Sequence, residues 1–488
     1  MNTNELAGIV GREYLLDDLA TRQSYATDYN LVSAKIPACV VRPASTEEVQ
    51  NIVKWANESQ AALVPVSSGA PHFRGDTVPG TEQAVIVDLR RLNRIIRVDP
   101  VNRVAIVQPG VTFGDLQDEL AKAGMSAYLP LAPRRTKSVL ASVLEREPIT
   151  MPGLHFDSTD PMLCAEIIFG TGDKIRTGEA AGPDTLEQQW EIGKAQMSPF
   201  GPTQMDPQRL VSGAQGTMGI VTWISLKTRF LSALSRAFFI AATSLTPLTE
   251  LSYRLTRIRF SGKIFILNGL NLASLLRRTA AEITALKNNL PPWIMFVSCE
   301  GYGPLPADKI DYLEADLFEI AGSFGLKVET TVGGAAAGEL DSQLAGPSAE
   351  PYWKLRFTGG CAEIFFLTTQ GQTPGFASIM EETARRQGYP AANIGVYIQP
   401  VAQGTGCHCE FDLYYHPANP AEATNTRRFS AEAVNRLEEA GAFFSRPYPA
   451  LAEAAYRRSQ DTAALQKKVK AIFDPNGILN PGKLSFSR

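Results

Sequence analysis

The chain has little that would mark a secreted, membrane-spanning or nucleic-acid-binding protein. Its six cysteines, at 39, 164, 299, 361, 407 and 409, include no Cys-x-x-Cys pair, and so thin a spread does not describe a disulfide framework. No apolar run approaches the ~20 residues that span a bilayer. The start, MNTNELAGIVGREYLLDDLA, has Glu5, Arg12, Glu13, Asp17 and Asp18 where a signal peptide needs an unbroken apolar stretch. Neither charge sign dominates: 47 basic against 50 acidic residues leave a net −3, with no nucleic-acid footprint and no polybasic membrane surface. Histidine is scarce, at four residues. Low-complexity tracts, fixed-period repeats and iron–sulfur or haem motifs are missing. A reduced, cytoplasmic protein without a transmembrane segment is expected.

What is there is ordinary globular material. With 44% hydrophobic and 20% charged residues over 488 positions, the chain can fill two or three cores. The first half reads as alternating strands and helices. Ser45 with Glu48 three residues on suggests a capping box, and Val49, Ile52, Val53 and Ala56 follow at helical spacing. ALVPV, AVIVDL and RVAIVQPG are short apolar strands. Thr112 is placed to cap FGDLQDELAKA, with Phe113, Leu116 and Leu120 inward and Gly124 ending the helix. Between the first two strands lies SSGAPHFRGDTVPG. Its Ser67, Ser68 and Gly69 are small enough to let backbone N–H groups approach an anion, with hydroxyls as further donors. A plain surface turn has the same composition.

Four stretches shift that balance: VVRPASTEEVQNIVKWANE, VQPGVTFGDLQDELAKAG, LVSGAQGTMGIVTWISLKT and the C-terminal AIFDPNGILNPGKLSF, in that order. Together they resemble the vanillyl-alcohol oxidase/p-cresol methylhydroxylase superfamily of FAD enzymes, which includes the flavin subunit of glycolate oxidase and D-lactate dehydrogenases. The resemblance covers about residues 38–230 and roughly the last fifteen. It implies an α+β fold: a two-part FAD-binding domain of p-cresol methylhydroxylase type over 1–231, an α+β substrate (cap) domain on an antiparallel sheet over 232–440, and a segment 441–488 returning to the FAD domain. It implies that Ser67, Ser68, Gly69 and Ala70 hold the FAD pyrophosphate. His72, Pro109, Gly110, Ala141, Ser142, Gly216, Thr217, Gly219, Ile220 and Asn480 would lie beside the cofactor. The chain also departs from the family. Leu140, Ala141 and Ser142, then Glu145, Arg146 and Glu147, stand in a segment (138–158) where relatives carry glycines and an asparagine, so the flavin pocket must be shaped differently there. Gln215 replaces a common glutamate. Some relatives attach FAD through a histidine in a Gly-Gly-His setting; His72 sits in APHFRG, so noncovalent FAD is expected.

From about residue 232 strands and helices alternate again: RAFFIAATS, a helix near LTELSYRLTRI, GKIFILNGL, the helix NLASLLRRTAAEITALKNN, WIMFVSCEG, the helix DKIDYLEADLFEIAGSFG, and LKVETTV. This pattern predicts an antiparallel sheet with helices on one face. The chemistry concentrates in NIGVYIQPVAQGTGCHCEFDLYYHP. Alternation puts Cys407, Cys409, Phe411, Leu413 and Tyr415 on one face of a strand, and His408, Glu410, Asp412, Tyr414 and His416 on the other. A hairpin through VAQGTG would bring Tyr397 and Gln399 onto the polar face. A half-exposed sheet with its polar face in water has the same pattern. No metal is expected: His408, Glu410 and His416 lack the Asp-Gly-Asn context of metal-using hydroxy-acid relatives.

The resemblance implies hydride removal from a hydroxyl-bearing or benzylic carbon of a small organic substrate to flavin N5. His408 is the leading base, with an ordinary pKa near neutrality; Tyr397 is second, and Glu410 stands beside them. Arg356, in YWKLRFTGG, could clamp a carboxylate in two-pronged fashion or make a surface ion pair. FGP resembles the alkylphenol branch, GTMGIVT and the length the hydroxy-acid branch. Phenol oxidisers usually hold phenolate with Tyr and Arg near the polar strand, yet no arginine occurs between Gln387 and Thr426. The substrate stays open between a hydroxy acid and an aromatic alcohol or alkylphenol. The acceptor is oxygen or a separate cytochrome, flavoprotein or iron–sulfur protein, and a homo-oligomer stays open. The alternative is an electron-relay or non-catalytic scaffold subunit.

Overall fold

A computed structural model of the chain describes residues 3–154, 160–201, 206–401 and 406–486. The N-terminal half contains two sheets. Strands Cys39–Val41, Val85–Asp88 and Leu63–Val66 run parallel in that spatial order, with Leu15–Leu16 antiparallel at the edge. Nearly every residue in the three parallel strands is buried, which is why they read as unbroken Val/Ile runs rather than alternating ones. The second sheet is antiparallel, built on the long strand Gly219–Phe230 between Val104–Val107 and Met162–Phe169.

Local sequence explains the helices between them. Ser45 Oγ accepts from Glu48 N at 3.1 Å and starts Thr46–Ser59. The Glu48 carboxylate reaches the amide of Ala44, one residue before the cap, so the box is displaced from its usual form. Thr112 and Asp115 make a complete box for Phe113–Lys122, and Gly124 follows it at φ 68°, a left-handed position that suits glycine. Ser138 caps the short helix Val139–Leu144 by accepting from Ala141 N.

The second half is one seven-stranded sheet in the order Val328–Glu329, Leu234–Ala242, Trp293–Gly301, Ile264–Asn268, Ile394–Val401, Gly406–Tyr415, Gly360–Thr368. All its pairings are antiparallel. Helices Thr246–Arg257, Pro306–Ser323, Thr373–Gln387 and Pro420–Glu439 pack on one face around Phe366, Phe411 and Phe429. The expectation of helices on one face only needs correction. Gly269–Leu276, Ala280–Lys287 and Ala337–Leu344 cover part of the other face through Leu270, Ile283 and Leu340. The expected single helix over 271–289 is two. Thr279 and Glu282 form a capping box that starts a new helix at Ala280, and a capped N-terminus inside a periodic stretch breaks it.

The C-terminal chain returns to the first sheet. Leu63 N donates to Ile478 O and Asn480 N to Leu63 O, adding a parallel bridge beside Leu63–Val66. Lys483 Nζ donates to Gly75 O at 2.7 Å. This closes the strand-following loop that carries Ser67 to Asp76. All six cysteines are buried and unpaired, as the thin spread led us to expect.

Candidate active site

The part of the cap sheet's second face that those three short helices leave uncovered is turned to the N-terminal half. The hairpin register sets Tyr397 opposite Glu410 and Gln399 opposite His408, while the neighbouring strand sets Glu363 opposite Asp412 and Phe365 opposite Glu410. The polar faces therefore coincide as the alternation suggested; the turn itself, 402–405, lies outside the described residues. At the centre stands Lys354, 3% exposed. Its Nζ lies 2.6 Å from Glu363, 2.5 Å from Glu410 and 2.8 Å from Asp412. These three carboxylates have the mutual spacing of a cation site, and the ammonium takes the cation's place. Burial alone would raise their pKa values, but Lys354 holds Glu410 well below the usual range and Glu363 below it. Asp412, more deeply desolvated, is pushed up to about 7.

His408 is 1% exposed. Its Nε2 lies 2.9 Å from Glu410 Oε2, and its Nδ1 3.1 Å from Arg446 Nη2. Arginine can only donate, so Nδ1 accepts and Nε2 carries the proton. Burial lowers the imidazole pKa despite Glu410, and the ring is neutral. Arg446 comes from 31 residues beyond the end of the strand at Tyr415. Its guanidinium lies 4.2 Å from the Phe365 ring centroid and donates to Glu145 O. Among the described residues it makes no ion pair, although it is 5% exposed. Burial and the neighbouring Arg74 depress its pKa to about 10.

The other candidates sit elsewhere or are otherwise engaged. Tyr397 is buried and donates to Gln399 Oε1 at 2.9 Å; burial raises its phenol pKa strongly, which makes it a poor base. Arg356 is not at this face. It donates to the carbonyls of Leu275, Ala349 and Pro351, ending the helix Gly269–Leu276. Lys354, two residues earlier, is the cation of YWKLRFTGG that reaches the site. His416 is exposed and pairs with Glu422 at 2.9 Å, so it joins no cluster with His408.

Between this face and the Ser67–Asp76 loop runs a narrow cleft. Its cap-side end is a cavity of about 110 Å³ lined by Ser67, Ser68, His72, Arg74, Glu147 and Glu363, among others. Arg74 bridges three segments there. It pairs with Glu145, with Glu147 at 2.8 Å and with Glu363 at 3.1 Å, and its guanidinium lies 5.2 Å from the Phe365 centroid. Lys137 backs the same two loop carboxylates at 2.6 and 2.8 Å. His72 is buried with its pKa lowered to about 4, by desolvation and nearby arginines. The cleft continues into a cavity of about 90 Å³ lined by Pro65, Leu140, Ala141, Gln215, Gly219 and Ile220, among others.

The loop residues expected at a pyrophosphate divide. Ser67 lines both cavities. Ser68 lines the cap-side one and accepts from Ser138 N, while the Gly69 carbonyl accepts from Arg134. Ala70 is exposed and lines neither cavity. Gly216 lines the second cavity, but a Cβ there would meet the Pro65 ring at 2.3 Å, so its smallness serves packing of one wall on the other. Pro109 accepts from Ser138 Oγ, and Gly110 packs against the Arg90 carbonyl. Thr217 is buried with its hydroxyl on Ala214 O, and Ser142 bonds Glu147; none of these four lines either cavity. Asn480 ties the loop to the glycine turn by donating to Asp76 O and Gln215 O.

Two matches with known families bear on this cleft. Residues 37–147 match the FAD binding domain family, and 451–484 the C-terminal domain of FAD linked oxidases. The chain thus carries the FAD-binding and C-terminal domains of FAD linked oxidases, in line with the resemblance to the p-cresol methylhydroxylase superfamily. FAD is its cofactor, and it is an oxidase or dehydrogenase acting on CH–OH or CH groups. Across 96% of the chain and 92% of the relative, it is 23% identical to the flavoprotein subunit of 4-cresol dehydrogenase (hydroxylating) from Pseudomonas putida. A glycolate oxidase subunit of Bacillus subtilis is 29% identical, over 45% of this chain and 42% of its own length. The fold superposes on p-cresol methylhydroxylase with substrate bound at a TM-score of 0.84, with 18% identity over 99% and 96% of the two chains.

The residues fit FAD at one end. Gln215 Oε1 and Asn480 Oδ1 are buried and without a hydrogen-bond partner among the described residues; Gln215 lines the Pro65–Ile220 cavity and offers an acceptor to a ribose or adenine, and Asn480 is bonded to its carbonyl. The cap-side end does not fit the flavin ring as its side chains stand. Ion pairs cross it, and both ends, at about 110 and 90 Å³, are tighter than the roughly 300–1,000 Å³ of ligand pockets. Glu145 and Glu147, visible in the sequence as departures, are part of the cause.

Proposed function

We propose that this FAD enzyme oxidises a small aromatic substrate bearing an acidic hydroxyl, of the alkylphenol class. The observation that carries the reading is Arg446: a buried guanidinium without a carboxylate partner among the described residues, against Phe365, with Tyr448 edge-on to the same ring. A buried unpaired cation is costly, and a phenolate oxygen would both neutralise it and place its ring in aromatic company. The match to the 4-cresol dehydrogenase subunit spans the cap, whereas the match to the glycolate oxidase subunit spans less than half the chain, which supports the same branch.

Bound FAD supplies the hydride acceptor. The protein's own residues handle the proton and the charge. When a phenol enters, its oxygen takes the Arg446 Nη2 bond that now goes to His408 Nδ1. That nitrogen is then free to accept the phenolic proton, while Glu410, held in its ionised form by Lys354, stabilises the imidazolium through Nε2. In this reading His408 is the base that the resemblance implied, Glu410 supports it, and Arg446 is the anion holder in place of Arg356. The test is Arg446→Met. Phenol binding, followed by the perturbation of flavin absorbance, should weaken about 10²-fold or more, the ~2–5 kcal/mol that loss of a buried charge partner costs. Affinity within threefold of wild type would remove Arg446 from the substrate.

A further inference from the structure

Outside the cleft, the turn ahead of Gly219–Phe230 and the C-terminal helices Pro449–Arg457 and Gln460–Phe473 enclose a cavity of about 600 Å³. That is the size of a small-molecule pocket, roughly 300–1,000 Å³, and several times either end of the cleft. The cavity and the cleft share only Gly213 as a lining residue. We propose that this cavity is a second ligand site, for a small amphipathic carboxylate that pairs with Arg146 and lays its apolar body against the C-terminal helices.

The lining divides as such a ligand requires. Much of it is apolar, from Leu210, Ala214, Met218, Phe443, Phe444 and Val469. Three arginines also line it. Arg209 and Arg458 are exposed and already paired, with Asp206 at 3.2 Å and with Glu438 at 2.7 Å. Glu438 is the one carboxylate of the lining, and Arg457 holds it as well, at 3.4 Å. Arg146 differs. It is half-buried and makes no ion pair among the described residues. Its Nη2 donates to Ser445 O, and its Nε is sealed off without a partner. Its Nη1 has no partner among the described residues either, yet is not sealed off, and it is the donor left for a ligand. Burial lowers its pKa, as it does for a cation short of a counter-ion. The chain holds it there in a left-handed conformation, φ 55°, which arginine seldom adopts and which has to be imposed by its surroundings.

The cavity backs directly onto the candidate active site. The bond from Arg146 to Ser445 O is answered by one from Arg446 Nη1 to Glu145 O at 3.3 Å. The two arginines are thus cross-linked through each other's neighbours, with Arg446 facing His408 and Arg146 facing the cavity. This inference concerns a site apart from the cleft and stands whichever substrate is oxidised.

The experiment uses the flavin-loaded full chain, with decanoate and decanol as probes, followed by calorimetry below the concentration at which decanoate forms micelles. Decanoate should bind saturably at a single site, about tenfold or more tighter than decanol, the difference a charge-assisted hydrogen bond makes. Arg146→Met should bring decanoate down to the decanol level, whereas Arg446→Met should leave its affinity within about threefold. Ala455→Trp fills part of the apolar lining and should abolish binding of both probes, which keeps the test valid if Arg146→Met folds poorly. Equal affinity for decanoate and decanol, or decanoate affinity unchanged in Arg146→Met, would overturn the site. So would binding only to flavin-free protein, which would put decanoate in the cofactor cleft, or a larger loss in Arg446→Met than in Arg146→Met, which would put it in the substrate pocket.

Discussion

Replacing Lys354 with methionine removes the one ammonium shared by Glu363, Glu410 and Asp412 and keeps most of the side-chain volume. The three oxygens lie 2.5–2.8 Å from Nζ and all three residues are buried. Removing one partner of a buried pair costs about 3–5 kcal/mol. At about 2–4 °C per kcal/mol for a domain of 150–250 residues, the cap should melt about 6–20 °C lower at pH 8. The loss should shrink in acid. Without the ammonium, the carboxylate that titrates highest, Asp412, already pushed up to about 7, rises further and keeps its proton. A carboxyl whose folded pKa lies above its unfolded one is penalised as pH rises, and the penalty is relieved by about 1.4 kcal/mol per unit on going down from its folded value. Between pH 8 and 6 the variant should therefore recover up to ~2.7 kcal/mol, against ~1.4 kcal/mol in wild type, whose Asp412 is relieved only below about 7. Near-UV circular dichroism melts at the two pH values measure this. A drop under about 2 °C, or one of equal size at both pH values, would refute the placement of Lys354 as the site's internal cation.

Other outcomes follow from the same geometry. His408 has a depressed folded pKa, so the stability it contributes is present above ~6.5 and lost as pH falls through the lower folded value; His408→Gln should flatten the decline in melting temperature below pH 6.5, and an unchanged acid limb would mean that the imidazole titrates freely. Arg356→Ala should cost about 1–3 kcal/mol by freeing carbonyls at the end of Gly269–Leu276, with substrate affinity intact; a selective loss of affinity would return Arg356 to the substrate. FAD should be released into the supernatant on acid precipitation, and flavin that stays with the pellet and is lost in His72→Ala would show a covalent link.

Much of the fold was legible because short-range rules act there. Ser45, Thr112 and Thr279 each start a helix by a local hydrogen bond, although the box at Thr279 was hidden inside an unbroken helical period. The alternation around His408 gave the correct face and, with the hairpin, the correct partners. The site's cations were harder to see. Lys354, Arg74 and Arg446 lie 56, 336 and 36 residues from Glu410 in the chain, on a turn, a loop and a C-terminal segment with no periodicity. Arg446 fell outside the window searched for an arginine, and its neighbourhood exists only because the chain after Glu439 turns back under the sheet. Arg356 misled because two cations two residues apart point in different directions. Glu145 and Glu147 were visible as charges in a glycine-poor segment, but their meaning depends on Arg74, 71 residues earlier.

The reading of this chain as an FAD enzyme of the alkylphenol class is tested most directly by anaerobic reduction. The flavin-loaded protein, with its oxidised band near ~450 nm, is mixed in turn with a para-alkylphenol, glycolate and D-lactate. The expected result is bleaching by the alkylphenol alone, slowed about 10²–10⁴-fold in His408→Ala at unchanged flavin content. Bleaching by a hydroxy acid with none by the phenol would contradict it.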